Sequence, residues 1–191
     1  MQRYLETAVR ADLGRKMVFL SGPRQVGKTT LSRSLMADYP RAQYLNCDVP
    51  NDRRILLEQA WSPRAGLVVL DEIHKMRDWK AYLKGAHDGR SEGQAILVTG
   101  SARLDTFRQS GESLAGRYFA FRLHPVSVRE WCNATGSSPE EALERLMERG
   151  GFPEPLLAET PAEAERWRNQ YLEGLIREDI LEFSRVHELR A

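Results

Sequence analysis

The sequence contains few features that would cross-link the chain or place it in a membrane. Its 191 residues include only two cysteines, Cys47 and Cys132, and these do not form a C-x-x-C pair. No apolar run approaches the roughly 18 residues of a membrane-spanning helix, and no signal peptide is recognisable. These absences exclude a disulfide-rich secreted protein, and we expect a cytoplasmic protein with reduced thiols and no membrane contact.

The sequence also lacks an excess of charge of either sign. With 28 basic and 27 acidic residues its formal net charge is +1, so nucleic-acid binding is possible but is not indicated by charge. The four histidines are scattered rather than set at ligand spacing, which argues against a zinc site. An apolar content of 41% and this chain length are typical of one globular domain and the beginning of a second.

Short apolar segments alternate with amphipathic ones, which predicts an α/β fold: helices on both faces of a parallel sheet. The predicted strands, three of them apolar runs with β-branched residues, are 17–21, 43–47, 67–71, 95–100 and 118–123. The predicted helices are 28–38, 51–60, 78–88, 104–110, 138–149 and 161–184. The last two begin at Ser-Pro and Thr-Pro pairs, which are N-terminal helix signals.

A cluster of helix breakers at residues 150–155 predicts a domain boundary, with one domain over 1–150 and a helical extension over 151–191. The extension carries an apolar stripe at Trp167, Tyr171 and Leu175. That stripe is explained either by packing on the core or by a longer protein. We favour the second explanation, in which 151–191 begins a lid or C-terminal region.

The most specific motif follows the first predicted strand and fits G-x-x-x-x-G-K-[ST], the signature of a phosphate-binding loop. Glycines allow the backbone to approach a polyphosphate, and successive N–H groups at a helix start bind its oxygens. The lysine contacts the β- and γ-phosphates, and the Thr29 hydroxyl is a ligand for Mg²⁺. The residues predicted to bind nucleotide are Gly22, Pro23, Arg24, Gln25, Val26, Gly27, Lys28, Thr29 and Thr30.

Two further strand ends supply the polar groups that a phosphate loop needs for hydrolysis. Asp71 and Glu72 follow the apolar run 67–70, and the carboxyl ends of parallel strands meet in one crevice. Asp71 is suited to hold the hydration shell of Mg²⁺, and Glu72 is suited to orient the attacking water. After the fourth strand, Ser101 is the favoured contact to the γ-phosphate or that water, with Thr99 as the lesser alternative.

An arginine that stabilises transition-state charge is not identified by the sequence. Arg117, before the fifth strand, is suited to reach the γ-phosphate of a neighbouring copy, although a surface ion pair explains it equally well. Arg24, Arg103 and Arg177 are the other candidates.

Several motifs occur together over residues 15–185: G-P-R-Q-V-G-K-T-T at 22–30, L-D-E-I-H-K at 70–75, D-W at 78–79, T-G-S at 99–101, L-A-G-R at 114–117 and H-P-V-S-V-R-E-W at 124–131. With them the chain resembles a prokaryotic AAA-like ATPase family that joins a P-loop domain to a C-terminal domain of unknown function. The resemblance implies sheet order 5-1-4-3-2, ATP and Mg²⁺ as ligands, and the roles given above for Lys28, Thr29, Asp71, Glu72 and Ser101. His74 stands where that family commonly has glutamine.

The expected function is Mg²⁺-dependent ATP hydrolysis that changes the conformation of a partner protein or a homo-oligomer. A nucleotide-dependent switch with little turnover is the first alternative. A small-molecule kinase is the second, although the adjacent Asp71 and Glu72 favour water as the phosphoryl acceptor.

Overall fold

The computed structural model describes residues 1–101 and 114–175, and its strands form one five-stranded sheet. The strands are β1 (Met17–Ser21), β2 (Gln43–Asn46), β3 (Leu67–Asp71), β4 (Ala95–Thr99) and β5 (Tyr118–Arg122). Their order is β2-β3-β4-β1-β5 and every pair is parallel. This confirms the predicted α/β fold, because the order is 5-1-4-3-2 counted from the other edge.

The helices are α1 (Glu6–Leu13), α2 (Lys28–Met36), α3 (Pro50–Glu58), α4 (Trp79–Asp88), α5 (Val128–Thr135), α6 (Pro139–Arg149), α7 (Pro153–Leu157) and α8 (Pro161–Gly174), with a 3₁₀ turn at Ile73–Lys75. Four predicted helices correspond to α2, α3, α4 and α6, and α8 begins where expected. The helix predicted over 104–110 lies outside the described residues, as does the part of 161–184 beyond residue 175. Helices α1, α5 and α7 were not predicted.

The burial of each strand follows its place in the sheet. All five residues of β1, β3 and β4 are buried, because these central strands are covered on both faces. The edge strands β2 and β5 are only partly buried. One apolar cluster packs Phe19 of β1 with Leu56 of α3 and Leu83 of α4, and the Phe19 ring stacks on Tyr118 at 4.5 Å between centroids. The sheet is therefore a rigid support for the loops at its carboxyl edge.

The chain divides into two compact units, the first over Met1–His124 and the second beginning at Pro125. The boundary predicted between residues 150 and 151 falls inside the second unit. Helices α5 and α6 pack on each other, and α6 also packs on α7 and α8. The N–H of Val126 donates to the carbonyl oxygen of Gly151 at 2.7 Å, so the breaker cluster is held by the residues that precede α5. Of the helices within 1–101 and 114–175, none is long and apolar enough to span a bilayer.

Two adjacent leucines of α3 provide a test of this packing. Leu56 is fully buried at 0% exposure, whereas Leu57 is 61% exposed. We expect Leu56→Ala to lower the free energy of unfolding by about 2–5 kcal/mol, through lost burial and a cavity. Leu57→Ala is the control and should change it by less than about 0.5 kcal/mol. Urea unfolding followed by circular dichroism measures both, and equal losses would contradict the orientation of α3.

Candidate functional site

The loop between β1 and α2 has a backbone path that requires glycine at two places. Gly22 has φ of +152°, and a Cβ there would lie 2.5 Å from the carbonyl oxygen of Leu123. Gly27 has φ of +100° and directly precedes α2. The left-handed residue thus stands at the start of α2, where the first N–H groups have no partner within the helix. The geometry is that of an anion-binding loop.

The Lys28 side chain lies inside this loop rather than in solvent. The residue is only 8% exposed, and its Nζ donates to the carbonyl oxygens of Gly22 at 3.0 Å and Pro23 at 2.7 Å. Burial lowers the pKa of the ammonium, while the charges of Glu72 and Asp71 act in the opposite direction. The pKa of the loop lysine is therefore influenced by both acids at the end of β3.

A buried arginine near the amino terminus of the chain supports the phosphate loop through hydrogen bonds. Arg3 donates to the carbonyl oxygen of Val26 at 2.9 Å and to that of His124 at 2.5 Å. Its guanidinium therefore joins the apex of the loop to the chain that leaves β5. The sequence analysis missed Arg3, because an arginine 19 residues before the loop belongs to no local motif.

Asp71, at the end of β3, is held by hydroxyls from both neighbouring strands. Thr99 of β4 lies opposite it in the strand register and donates to its Oδ1. Tyr44 of β2 donates to its Oδ2, and the N–H of Glu72 donates to Oδ1 at 3.1 Å. The carboxylate is 7% exposed and its direction is set by these three donors.

Tyr44 is held on both its hydroxyl and its ring. Burial and the hydrogen bond to Asp71 raise the pKa of Tyr44. The Arg33 guanidinium lies 5.9 Å from the ring centre, within cation–π range. Asp71, one of the two predicted magnesium ligands, is therefore oriented by a side chain that belongs to none of the sequence motifs.

Glu72 begins the turn that follows β3. Its φ of +55° is left-handed, and its N–H donates to the Thr99 carbonyl oxygen at 3.0 Å. Its Oε2 lies 3.5 Å from Nε2 of His74 and 3.7 Å from Nζ of Lys75. Burial and the neighbouring Asp71 raise the pKa of this carboxyl, and the Lys75 and Lys28 charges partly offset the rise.

The remaining predicted residues lie after β4, on the loop and on α2. Ser101, half-buried, follows β4 at the same edge of the sheet. Thr99 was the lesser alternative for the γ-phosphate contact, and its hydroxyl is used by Asp71. Arg24, Gln25 and Thr30 are exposed on the loop and on α2.

Arg117 lies at the amino ends of the strands, whereas the phosphate loop and the acids lie at their carboxyl ends. It precedes Tyr118, which pairs with Met17, the first residue of β1. Its guanidinium forms a two-point ion pair with Asp88, at 2.9 and 3.1 Å. This surface pair is the arrangement expected under the alternative explanation. Arg103 and Arg177 lie outside the described residues.

The oxygen donors of the crevice fit Mg²⁺ better than a softer metal. Within residues 1–101 and 114–175 no group of three or more His, Cys, Asp or Glu is arranged to hold a metal ion. Magnesium at a phosphate loop does not need such a group, since it takes most ligands from phosphates and water. The Thr29 hydroxyl and the Asp71 carboxylate, the latter oriented by the Tyr44 hydroxyl, match that small protein contribution.

The close approach of Gly22 to the Leu123 carbonyl oxygen can be tested by adding a Cβ at position 22. Gly22→Ala would force the Cβ against the Leu123 carbonyl oxygen and hold a non-glycine residue at positive φ, so we expect a loss of about 1–3 kcal/mol in unfolding free energy. Gly14 has φ of −73° and no atom near its would-be Cβ, so Gly14→Ala should be neutral or slightly stabilising. Thermal unfolding measures both variants, and a neutral Gly22→Ala would refute the described loop geometry.

Comparison with known proteins agrees with this architecture. The chain is 33% identical over 166 residues to an uncharacterized protein of Mycobacterium tuberculosis and equally to one of Mycobacterium bovis, in matches that cover 86% of this chain and 36% of each relative. The chain thus spans about a third of the length of the curated relatives it matches. A RuvB variant of Thermotoga maritima is similar in fold, with a TM-score of 0.50 at 17% identity over 86% of this chain and 59% of that one.

A signal transduction ATPase of the STAND class with a tetratricopeptide repeat sensor, from Pyrococcus horikoshii, matches at 17% identity and a TM-score of 0.49, over 82% of this chain and 29% of that one. The model of the AAA domain family matches residues 14–132, which include the phosphate loop, both acids and all five strands. The chain belongs to the AAA domain family of P-loop proteins.

Proposed function

We propose that this chain binds ATP with Mg²⁺ and hydrolyses its β–γ anhydride, and that hydrolysis changes the conformation of a partner protein or a neighbouring copy. One observation carries the proposal. The Lys28 ammonium is buried inside a glycine-bounded loop, and the charges of Asp71 and Glu72 at the end of β3 act on its pKa. This supports a site in which the proposed phosphate-binding and water-activating groups lie together at the carboxyl ends of the strands.

Binding of the polyphosphate is assigned to the loop and the start of α2. The backbone N–H groups of residues 24–29 supply hydrogen-bond donors, and Lys28 supplies the positive charge. The Lys28 Nζ donates to loop carbonyls at 3.0 and 2.7 Å, and we infer that it exchanges these contacts for phosphate oxygens. Such bonds to an anion are stronger than those to neutral carbonyls.

Thr29 and Asp71 are the residues that would hold Mg²⁺. When bound, this ion neutralises charge on the β- and γ-phosphates. Asp71 is suited to accept hydrogen bonds from metal-bound water, because it is fixed by three donors and retains further lone pairs. Thr29 is exposed on the first turn of α2, where its hydroxyl can face the phosphates.

Glu72 is assigned to the water that attacks the γ-phosphorus. Its carboxyl follows Asp71 directly, and its left-handed backbone turns the side chain away from the strand direction. The raised pKa increases the basicity of the carboxylate, which favours a role in orienting or deprotonating water. We propose Ser101, which follows the adjacent strand, as the contact to the γ-phosphate or to this water.

Arg117 is proposed to act on a neighbouring copy rather than on its own nucleotide. It lies beyond the amino end of β5, whereas the phosphate loop follows the carboxyl end of the adjacent β1. A full strand length therefore separates the guanidinium from the loop of its own chain. A single copy would accordingly turn over slowly, as the switch alternative describes, and assembly would supply the missing positive charge.

Two substitutions separate binding from hydrolysis. Lys28→Ala should abolish ATP binding in calorimetry, because the buried positive charge is removed. Glu72→Gln should keep binding and lose at least about 100-fold in steady-state phosphate release, the range expected for a positioned base. Glu92→Gln is the matched control, since Glu92 is exposed and precedes β4.

The outcomes distinguish the candidate functions. Unchanged phosphate release by Glu72→Gln refutes the assigned role of that residue, and unchanged affinity of Lys28→Ala refutes the nucleotide site. Tight ATP binding without turnover at any protein concentration identifies a switch. Transfer of the γ-phosphate to a metabolite instead of water identifies a kinase.

The role of Arg117 predicts a dependence on protein concentration. Turnover per chain should rise with concentration in the unmodified protein, and Arg117→Ala should remove that rise while leaving ATP affinity unchanged. Asp88→Ala breaks the same ion pair but keeps the arginine, so its turnover should still rise. Equal behaviour of the two variants would show that the ion pair, and not the guanidinium, is responsible.

A further inference from the structure

The geometry points to Tyr44 as a positioning residue of the magnesium site, one that sets the direction of the Asp71 carboxylate through its hydroxyl. No local motif contains it, since it lies in β2, apart from the phosphate loop and from the acids after β3. The inference rests on the proposed nucleotide site and extends it, because it assigns a role to a residue outside the loop and the acidic pair.

The strand register explains how Tyr44 reaches this site. Tyr44 pairs with Val69 of β3, and Asp71 is two residues further along the same strand. Side chains alternate between the faces of a strand, so Tyr44 and Asp71 lie on the same face. The long aromatic side chain spans the offset, and its hydroxyl donates to Oδ2 of Asp71.

The hydrogen bond from Tyr44 restrains the Asp71 carboxylate together with the one from Thr99. Thr99 from β4 holds Oδ1 and Tyr44 from β2 holds Oδ2, so strands on both sides restrain rotation of the carboxylate. A carboxylate has about four acceptor positions, so the remaining ones are available to metal-bound water. Tyr44 is thus a side chain from a separate strand that orients the proposed carboxylate ligand of the metal site.

The test uses Tyr44→Phe, which removes only the oxygen and keeps the ring beside Arg33. ADP affinity is measured by calorimetry in excess Mg²⁺ and in EDTA, and the ratio of the two is the gain due to the metal. We expect the gain to fall by about 10-fold or more, the usual effect of losing a residue that orients a metal ligand. Affinity in EDTA should stay unchanged, because the loop is not altered.

Tyr82→Phe is the matched control. The Tyr82 hydroxyl is also a buried donor, to the carbonyl oxygen of Leu56 at 2.7 Å, and burial likewise raises its pKa. Loss of this hydroxyl should leave the metal-dependent gain as it is in the unmodified protein.

Each result has one meaning. A normal gain in Tyr44→Phe overturns the role of Tyr44 while leaving the nucleotide site intact. Equal losses of affinity in Mg²⁺ and in EDTA also overturn it, since they indicate a general structural effect. An unmodified protein that binds no ADP in either condition refutes the nucleotide site itself. An unmodified protein that binds ADP without any metal-dependent gain refutes the assignment of Thr29 and Asp71, and the role of Tyr44 with it.

Discussion

The need to compensate two buried charges, the Lys28 ammonium and the Asp71 carboxylate, is the constraint on which the site depends. Charges removed from water are costly unless opposite charges or hydrogen bonds compensate them. Here the phosphate loop satisfies the ammonium through two carbonyls, and Thr99 and Tyr44 satisfy Asp71. The phosphate loop, Tyr44 of β2 and Thr99 of β4 come from three separate segments of the chain. The two charges can therefore be buried together only once the sheet has formed.

The sheet in turn sets the positions of these groups with little freedom. The central strands are buried at every residue, which leaves no room for a register shift without exposing apolar side chains. The loop after β1 is supported on its outer side by Arg3 and by the chain that follows β5. Rigid support of this kind suits a loop whose backbone N–H groups must keep their direction when a polyphosphate binds.

Much of this arrangement follows from local sequence signals. All five strands were predicted, three of them from short apolar runs, and the spacing of glycine, lysine and threonine predicted the loop. Helix α5, by contrast, was not predicted from the sequence. It is short, and its start is marked only by a capping box formed by Ser127 and Glu130. The compact unit that starts at Pro125 was also not anticipated, because a glycine-rich cluster at 150–155 marks a turn inside that unit as readily as a boundary.

The sequence by itself determined the fold class, the strand order that its family resemblance implies, and the residue types that meet at the carboxyl edge. Only the tertiary structure decided which side chains hold those residues in place. Tyr44 and Arg3 are separated from Asp71 and Val26 by more than 20 positions, and their contacts arise from strand register and helix packing. Local patterns report periodicity and turn chemistry, whereas partners of this kind depend on distances that exist only after the chain has folded.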